Sequence, residues 1–432
     1  MFKLSSLKYL YLNDNRIKGI INIQKLSNLT SLEELHLSGN EIEGFKFSHG
    51  LPNLQYLDLS YNRINNLLSS LNGFPSLKHL DLSYNSLKGI FHMKELDDLS
   101  NLEELDLSGN QIIKFEVKED TRGLSKLSKL TLDNMTTNGR SSLLLQSLGA
   151  FPYLKILSLK ENDFKGKIFA QESHNMNSLE ELRLDYSSLR EISLQSLGAL
   201  PSLKFLSLCF LESTLPAQGL PNFKNLEILH MNYSSSSIDI LQVIAKMTSL
   251  KALSLRNCGL NGTIPVASGI CELKHLQFLD MSSNDLNGTL PRCLANMTSL
   301  ESLDVSDNHF TGKIFPLGGL TSIQYLSLSN NHFKIPISFG PFFNHTKLKY
   351  FYGRDNEVYS EIKVYESIPK FQLESLMLSG LGYGGVFPKF FYYQRNLKEV
   401  DLSNNKLEGS FPIWLLKNNT KLYKTRKLHF SQ

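Results

Sequence analysis

The side chains best suited to chemistry lie between residues 127 and 258, and the chemistry that they favour is recognition of another molecule. They are predicted to face solvent on short strands, where a large aromatic ring is unfavourable unless a partner covers it. Arginine, tyrosine and phenylalanine together are typical of the energetic centres of protein interfaces. The candidate ligand-binding residues are Lys160, Glu161, Arg183, Asp185, Tyr186, Phe210, His230, Tyr233 and Arg256.

Other interpretations of these residues stay open. The same variety would arise by drift in repeats that are no longer under selection. Asn232 begins an Asn-x-Ser sequence on a predicted outward strand position, and a glycan there would cover part of the proposed patch. A second cluster of similar character consists of Tyr350, Tyr352, Arg354 and Asp355.

Catalytic chemistry finds no support in the residue pattern. The 11 histidines include no His-x-x-x-His metal spacing, and the serines include no Gly-x-Ser-x-Gly elbow. Carboxylates recur instead as a regular column, interpreted as a solvated face, at Asp58, Asp81, Asp106, Asp280, Asp304 and Asp401. We therefore predict no enzyme activity, no metal and no cofactor.

Composition restricts the class of protein further. The 432 residues are 41% hydrophobic and 20% charged, which is enough apolar material for a large core. The net charge of +4 is spread along the chain, whereas a nucleic-acid binder concentrates basic residues in one stripe. No apolar run reaches the roughly 20 residues that span a bilayer.

One repeat must position all of these side chains. The pattern Leu-x-x-Leu-x-Leu-x-x-Asn occurs in 17 copies from Leu7 to Leu397, with a damaged further copy at Leu422. The period is about 24 residues, which indicates a repeat architecture rather than several domains. The repeat loses its asparagine in most copies between residues 127 and 258, at Met135, Ser187, Leu211, Ser234 and Cys258.

The spacing predicts the structure of each repeat. Leu-x-Leu has the period of a strand with both leucines inward, and the asparagine falls where the chain turns. A buried asparagine amide would satisfy backbone groups of neighbouring coils. Because no copy can bury its leucines alone, the copies stack into one curved α/β repeat solenoid, with a parallel β-sheet on the concave face. This solenoid is predicted over residues 1–421, and residues 422–432 are expected to be degenerate and disordered.

The repeat resembles the leucine-rich-repeat family over essentially the whole chain. A second phrase, Leu-x-Gly-x-Ile-Pro, follows several asparagines, for example at 260–265 and 286–291, and its glycine and proline are expected to turn the chain at each corner. This phrase is similar to the plant extracellular subclass, found in receptor-like kinases, receptor-like proteins and inhibitors of cell-wall pectinases. The stretch from Cys271 to Cys293 is similar to the receptor-like proteins, which lack a kinase domain.

The resemblance implies a leucine-rich-repeat horseshoe or superhelix from a plant receptor-like protein at the plasma membrane. Such a protein would bind an extracellular peptide or protein cue in immune or developmental signalling, through a membrane receptor kinase or co-receptor. Signal peptide, caps and membrane segment of that group are not seen, so both ends are expected to be truncated. The alternatives are a soluble cell-wall inhibitor of a secreted glycosidase, an intracellular scaffold and a non-functional receptor remnant.

Two covalent modifications are candidates in an extracellular protein. Cys271 and Cys293 lie in successive coils, where they would form either a disulfide or two buried thiols. Sequences of the form Asn-x-Ser/Thr mark possible glycosylation, although their number is close to chance. They begin at Asn28, Asn134, Asn232, Asn261, Asn287, Asn296, Asn344 and Asn418.

Overall fold

The computed structural model contains two compact units, Met1–Ser213 with Gly219–Phe223, and Thr214–Gln218 with Lys224–Gln432. The single solenoid predicted for residues 1–421 is therefore described unit by unit. The structure describes residues 4–46, 50–65, 71, 73–116, 124–135, 141–169, 176–265, 269–360, 368–380, 384–410 and 412–426.

The described part of the first unit contains nine three-residue strands in one parallel order. Each strand places a leucine directly beside the leucine of the next, as Leu35 lies beside Leu57, and both are fully buried. The strands are Tyr9–Tyr11, Glu34–His36, Tyr56–Asp58, His79–Asp81, Glu104–Asp106, Lys129–Thr131, Ile156–Ser158, Glu181–Arg183 and Phe205–Ser207.

The described part of the second unit repeats this arrangement with nine further parallel strands. They are Ile228–His230, Ala252–Ser254, Phe278–Asp280, Ser302–Asp304, Tyr325–Ser327, Tyr350–Tyr352, Ser375–Met377, Glu399–Asp401 and Lys424–Arg426. Each unit thus has the predicted fold class, a curved leucine-rich-repeat solenoid built on a parallel sheet, and that prediction is confirmed.

The last of these strands differs from the expectation for the chain end. Residues 422–432 were expected to be disordered because their repeat is damaged, yet Lys424–Arg426 pairs in parallel with Glu399–Asp401. Backbone pairing needs no leucine, so a strand can form where the side-chain pattern has failed. Residues 427–432 lie outside the described part of the chain.

Further parallel strands follow the turns in both units. In the first unit Lys18–Asn22 pairs with Glu41–Lys46, Lys88–His92 with Gln111–Glu116, and Asp163–Phe164 with Ser188–Leu189. In the second unit a five-stranded sheet contains Asn261–Thr263, Asp285–Thr289, His309–Lys313, His332–Pro336 and Glu357–Tyr359, and Gly384–Val386 pairs with Lys406–Glu408.

These strands correct the expectation for the Leu-x-Gly-x-Ile-Pro phrase, which was predicted to be a corner. The phrase runs through the five-stranded sheet, and its glycine is required there by both conformation and space. Gly288 has a φ of +74°, and a Cβ on it would lie 2.8 Å from the Cγ2 of Thr263 in the neighbouring strand.

Short helices form the remaining limb of the coils. The α-helices are Ser141–Gln146, Glu191–Ser196, Ile240–Ile244 and Ile413–Asn418. Turns of 3-10 helix are Ile23–Leu26, Met93–Leu96, Ser147–Ala150, Leu197–Ala199, Ala217–Gly219, Ile270–Glu272, Arg292–Asn296, Phe315–Gly319, Gly340–Phe342 and Lys389–Tyr393.

The repeat asparagine acts as the sequence predicts. The side-chain amide of Asn62 donates to the carbonyls of Leu37, Leu59 and Ser60, at 3.0, 3.1 and 3.1 Å, and its oxygen accepts from the backbone N–H of Ile42 at 2.9 Å. It thereby connects two consecutive coils. Cys258 holds the asparagine position of its coil and performs part of this role, since its thiol donates to the carbonyl of Met231 at 3.0 Å.

A disulfide joins two adjacent 3-10 turns of the second unit. Cys271 lies in Ile270–Glu272 and Cys293 in Arg292–Asn296, with their Cα atoms 5.8 Å apart. Of the two alternatives that the spacing left open, the structure contains the disulfide.

Candidate ligand-binding surface

The candidate residues lie mostly beyond the strands, not on them. In the first unit only Arg183 is a strand residue, while Lys160, Asp185, Tyr186 and Phe210 follow their strands by two or three residues. The prediction of strand positions was therefore wrong for these residues. Each strand has only three residues, because the chain leaves the ladder to reach the turn that contains the asparagine position.

The residue just before the asparagine position has a left-handed backbone in nearly every coil. Tyr186 has a φ of 58°, and its N–H donates to the carbonyl of Cys209 in the next coil at 2.8 Å. Glycine, asparagine and aspartate tolerate this conformation, as at Gly109 and Asn257, whereas an aromatic residue pays about 1 kcal/mol for it. Glu161, Phe210 and Tyr233 have the same conformation.

Aromatic rings at this turn position stack along the first unit. Tyr186 and Phe210 are 51% and 40% exposed, and their ring centroids are 4.7 Å apart with nearly parallel planes. Tyr61 and Tyr84 make an equivalent stack at 4.4 Å in coils that follow the ordinary template. Stacking is thus a property of the turn position. At the candidate residues Tyr186 and Phe210 it leaves an aromatic edge exposed to solvent.

The charged candidates of the first unit lie in different environments. The guanidinium of Arg183 lies 5.5 Å from the ring centre of Phe205 and is bound to Glu181 at 2.6 Å. Lys160 is half-buried, with its Nζ 3.9 Å from a carboxylate oxygen of Asp185. Glu161 is exposed.

Asp185 has a structural role that the sequence did not show. One carboxylate oxygen accepts from the backbone N–H of Cys209 at 2.9 Å and from the hydroxyl of Ser207, so it ties two coils together. Asn232 does the same in the second unit, where its side-chain oxygen accepts from the N–H of Arg256 at 3.0 Å. Asn232 also lies beyond its strand, which corrects its predicted strand position.

The second unit holds the other three candidates on two neighbouring coils. His230 ends the strand Ile228–His230 and lies beside Ser254. Tyr233 is 40% exposed, and its N–H donates to the carbonyl of Arg256 at 2.8 Å. Arg256 is exposed, so Tyr233 and Arg256 offer an aromatic ring and a cation from adjacent coils.

The aspartates of the ordinary coils are partly buried, which corrects their interpretation as a solvated face. Asp58 accepts from the N–H and the hydroxyl of Ser60, two residues later, and the same contact to the N–H recurs at Asp106 with Ser108. Burial raises the pKa of Asp106 to about 6, and the neighbouring carboxylates of Asp81 and Asp133 raise it further, against the hydrogen bonds from Ser108.

The raised pKa of Asp106 predicts a pH-dependent stability. The folded state binds the proton more tightly than the unfolded state, so stability from this group is complete below about pH 4 and is lost as pH rises through about 6. We expect the free energy of unfolding of Asp106→Asn, measured by urea unfolding, to exceed that of the wild type by roughly 1 to 3 kcal/mol at pH 7. At pH 4 this advantage should be lost. The exposed Asp285, changed to asparagine, is the matched control. An equal difference at both pH values would contradict the prediction.

The potential glycosylation sites differ in accessibility. Asn28, Asn261, Asn287, Asn296 and Asn344 are exposed, whereas Asn134, Asn232 and Asn418 are half-buried. Modification of these residues remains a prediction.

The sequence missed a cleft of about 500 Å³ in the second unit. Phe278, Ser302, Tyr325 and Tyr350 line it together with Asp280 and Asp304. Phe278 and Tyr325 occupy the first outward strand position of coils that differ from the Leu-Asp-Leu-Ser template at one position each, Met281 and Ser327. The bulky residue at this position was the available signal, and the ordinary appearance of the rest of these coils concealed it.

Two features are absent from the described residues. No helix among them is both long and apolar enough to cross a membrane. Nor do their histidine, cysteine and acidic side chains converge in a group of three that could hold a metal ion.

Models of leucine-rich repeats match this chain in several places. Those described as "Leucine rich repeat", "Leucine Rich repeats (2 copies)" and "Leucine Rich Repeat" match residues 41–87, 68–112, 5–49, 101–124, 275–297, 322–342 and 396–418, and a further repeat model matches 296–314.

Curated relatives are receptors of plants. The chain is 34% identical over 414 residues to "Cuscuta receptor 1" of Solanum lycopersicum, covering 86% of this chain and 37% of that protein. It is 38% identical over 133 residues to "Receptor-like protein 1" of Arabidopsis thaliana, covering 30% of this chain and 12% of the relative. The chain thus spans well under half of the length of either relative.

A solved structure supports the fold. The ectodomain of the receptor kinase HAESA from Arabidopsis thaliana, solved with an IDA peptide hormone ligand, superimposes with a TM-score of 0.51 at 22% identity. The alignment covers 99% of this chain and 75% of the other.

Proposed function

Since the chain belongs to the leucine-rich-repeat proteins, within the plant receptor-like group, we propose that it is part of the ligand-sensing ectodomain of a plant cell-surface receptor. Its ligand is an extracellular peptide or protein cue in immune or developmental signalling. The complete protein is anchored in the plasma membrane and signals through a membrane receptor kinase or co-receptor. The names of the relatives support this proposal over a soluble inhibitor of a secreted glycosidase.

The exposed aromatic edge beside Arg183 is the observation that carries the proposal. Two stacked rings, Tyr186 and Phe210, have a backbone conformation that costs free energy, and the cation of Arg183 lies on the strand that precedes Tyr186. A ligand that covered the rings would remove their apolar surface from water, and this burial would stabilise the complex. The proposed contact residues are Lys160, Glu161, Arg183, Asp185, Tyr186 and Phe210 in the first unit, and His230, Tyr233 and Arg256 in the second.

Asp185 enters this proposal in a different role from the others. Because its carboxylate already holds Ser207 and Cys209, it fixes the turn that carries Tyr186. We therefore expect Asp185 to act on ligand binding through position, and Arg183 and Tyr186 through contact.

Differential capture tests the proposal. Immobilised protein would be incubated with peptides below 5 kDa from plant apoplastic fluid, and retained peptides would be identified by mass spectrometry. We expect the double variant Arg183→Ala, Tyr186→Ala to lose at least tenfold of a peptide that the wild type retains, because loss of interface arginine and tyrosine side chains commonly costs more than about 1.4 kcal/mol.

The matched control is Tyr153→Ala in the same unit. Tyr153 is 59% exposed but belongs to the turn that precedes a strand, away from the proposed contacts. Equal retention by wild type, control and double variant would overturn the assignment of the contact surface.

A further inference from the structure

A slot between two aromatic rings lies on the sheet of the second unit, apart from the contact residues proposed above. The register places Phe278 beside Ser302, and Ser302 beside Tyr325. Phe278 and Tyr325 are thus two strand spacings apart, or about 9.6 Å, with the small Ser302 between them. This separation leaves room for one flat group between the rings, and the surrounding cleft has a volume of about 500 Å³.

Carboxylates line the same slot. Asp280 and Asp304 are direct neighbours on adjacent strands, two residues beyond Phe278 and Ser302, and Glu301 also borders the cleft. Asp304 accepts from the N–H of Ser306 at 2.9 Å and from the hydroxyl of Tyr325 at 3.4 Å. Among the described residues, no lysine or arginine nitrogen lies within 4.0 Å of Asp280 or Asp304.

Within the described chain, no lysine or arginine therefore neutralises the negative charge of this slot. Burial raises the pKa of the Asp304 carboxyl, and the neighbouring Asp280 raises it further, against hydrogen bonds from Ser306 and Ser327. Burial and the proximity of Asp304 raise the pKa of Tyr325 to about 12, so its hydroxyl stays protonated and directs its hydrogen towards that carboxylate.

We propose that this slot binds the side chain of an arginine in an extended peptide, with the guanidinium between Phe278 and Tyr325 and its N–H groups on Asp280 and Asp304. A guanidinium is flat, stacks on aromatic faces and donates in a fork that suits paired carboxylate oxygens. A neutral side chain would leave the carboxylates unpaired, and the compact ammonium of lysine would not fill the space between the rings.

This inference reaches beyond the proposed function, because it assigns a ligand class to residues outside the proposed contact surface. It does not depend on Arg183 or Tyr186. The double variant Arg183→Ala, Tyr186→Ala should bind an arginine peptide as the wild type does, so failure of either proposal is recognised separately.

Short blocked peptides test the inference directly on the full chain. The probes are acetyl-Gly-Ser-Arg-Ser-Gly-amide and two variants of this peptide, with citrulline or lysine in place of the arginine. Each is titrated with the protein and followed by saturation-transfer NMR. Citrulline keeps the shape of arginine without its charge. We expect the arginine peptide to bind at least tenfold more tightly than the citrulline peptide and severalfold more tightly than the lysine peptide, with the affinity falling as salt is added.

Variants locate the binding. Asp304→Asn and Phe278→Ala should each weaken the arginine peptide at least tenfold, whereas Asp58→Asn, the same template position in the first unit, should leave it unchanged. Phe278 is 38% exposed, so its loss tests the slot even if Asp304→Asn fails to fold. Equal affinity for arginine and citrulline, equal affinity for arginine and lysine, or full binding by Phe278→Ala would each overturn the inference.

Discussion

Replacing Asn110 with leucine is expected to lower the free energy of unfolding by about 4 kcal/mol, although leucine is the commoner core residue. Asn110 is fully buried, and its amide donates to the carbonyls of Leu82, Leu107 and Ser108 at 2.9, 2.9 and 3.2 Å. Its oxygen accepts from the N–H of Leu87 at 3.1 Å. Leucine would fill the space but leave these backbone groups buried without their partner.

Asn15 provides the matched control, because it holds the same repeat position with an exposed side chain. Its amide donates to the carbonyls of Leu12 and Asn13, both at 3.0 Å, and water can replace it there. Asn15→Leu should therefore cost under about 1 kcal/mol. Urea unfolding followed by circular dichroism gives the totals, and hydrogen exchange should show the loss for Asn110→Leu concentrated in residues 82–112. Equal costs for the two variants would refute the buried-amide explanation.

The repeat made most of this fold predictable from the sequence. Leu-x-Leu fixed the inward leucines, and the asparagine spacing predicted the hydrogen bonds between coils that Asn62 makes. Both depend on local chain geometry, so a pattern within one copy is enough to reveal them. Lys424–Arg426 shows the limit of this reasoning, because its pairing comes from the backbone of the neighbouring coil.

The candidate site was less predictable, because side-chain roles there depend on the adjacent coil. Asp185 read as an outward acid available to a ligand, yet its carboxylate receives the N–H of Cys209, 24 residues later. The sequence pattern did not single out Phe278 or Tyr325, and only the register places one small serine between them. Aligning the copies by position, rather than reading along the chain, exposes both relationships.

Arg354 shows the same limitation, and its role in the structure has a large effect on stability. The sequence grouped it with Tyr350, Tyr352 and Asp355 as a second binding cluster. In the structure its guanidinium pairs at 3.0 Å with Asp401, a residue only 3% exposed and two coils away. We expect Arg354→Leu to lower the free energy of unfolding by about 3 to 5 kcal/mol, since it leaves a buried carboxylate without its cation.

The half-buried pair of Lys398 and Glu374, which is more exposed than Asp401, is the matched comparison in the same unit. Their charged atoms are 2.5 Å apart, but the lysine side chain is 44% exposed, so Lys398→Leu should cost under about 1 kcal/mol. A small loss for Arg354→Leu, comparable with this control in urea unfolding, would show that water already solvates Asp401.

Adding Asp401→Asn to Arg354→Leu should restore most of the lost stability, because the uncompensated charge disappears while the asparagine oxygen still accepts the N–H of Ser403. A double-mutant cycle in urea measures this coupling, and additive losses would contradict it. Strong coupling would mean that Arg354 is committed to holding coils together. Arg354 would then not be available to a ligand, and the inferred slot would depend on Phe278 and Tyr325 without it.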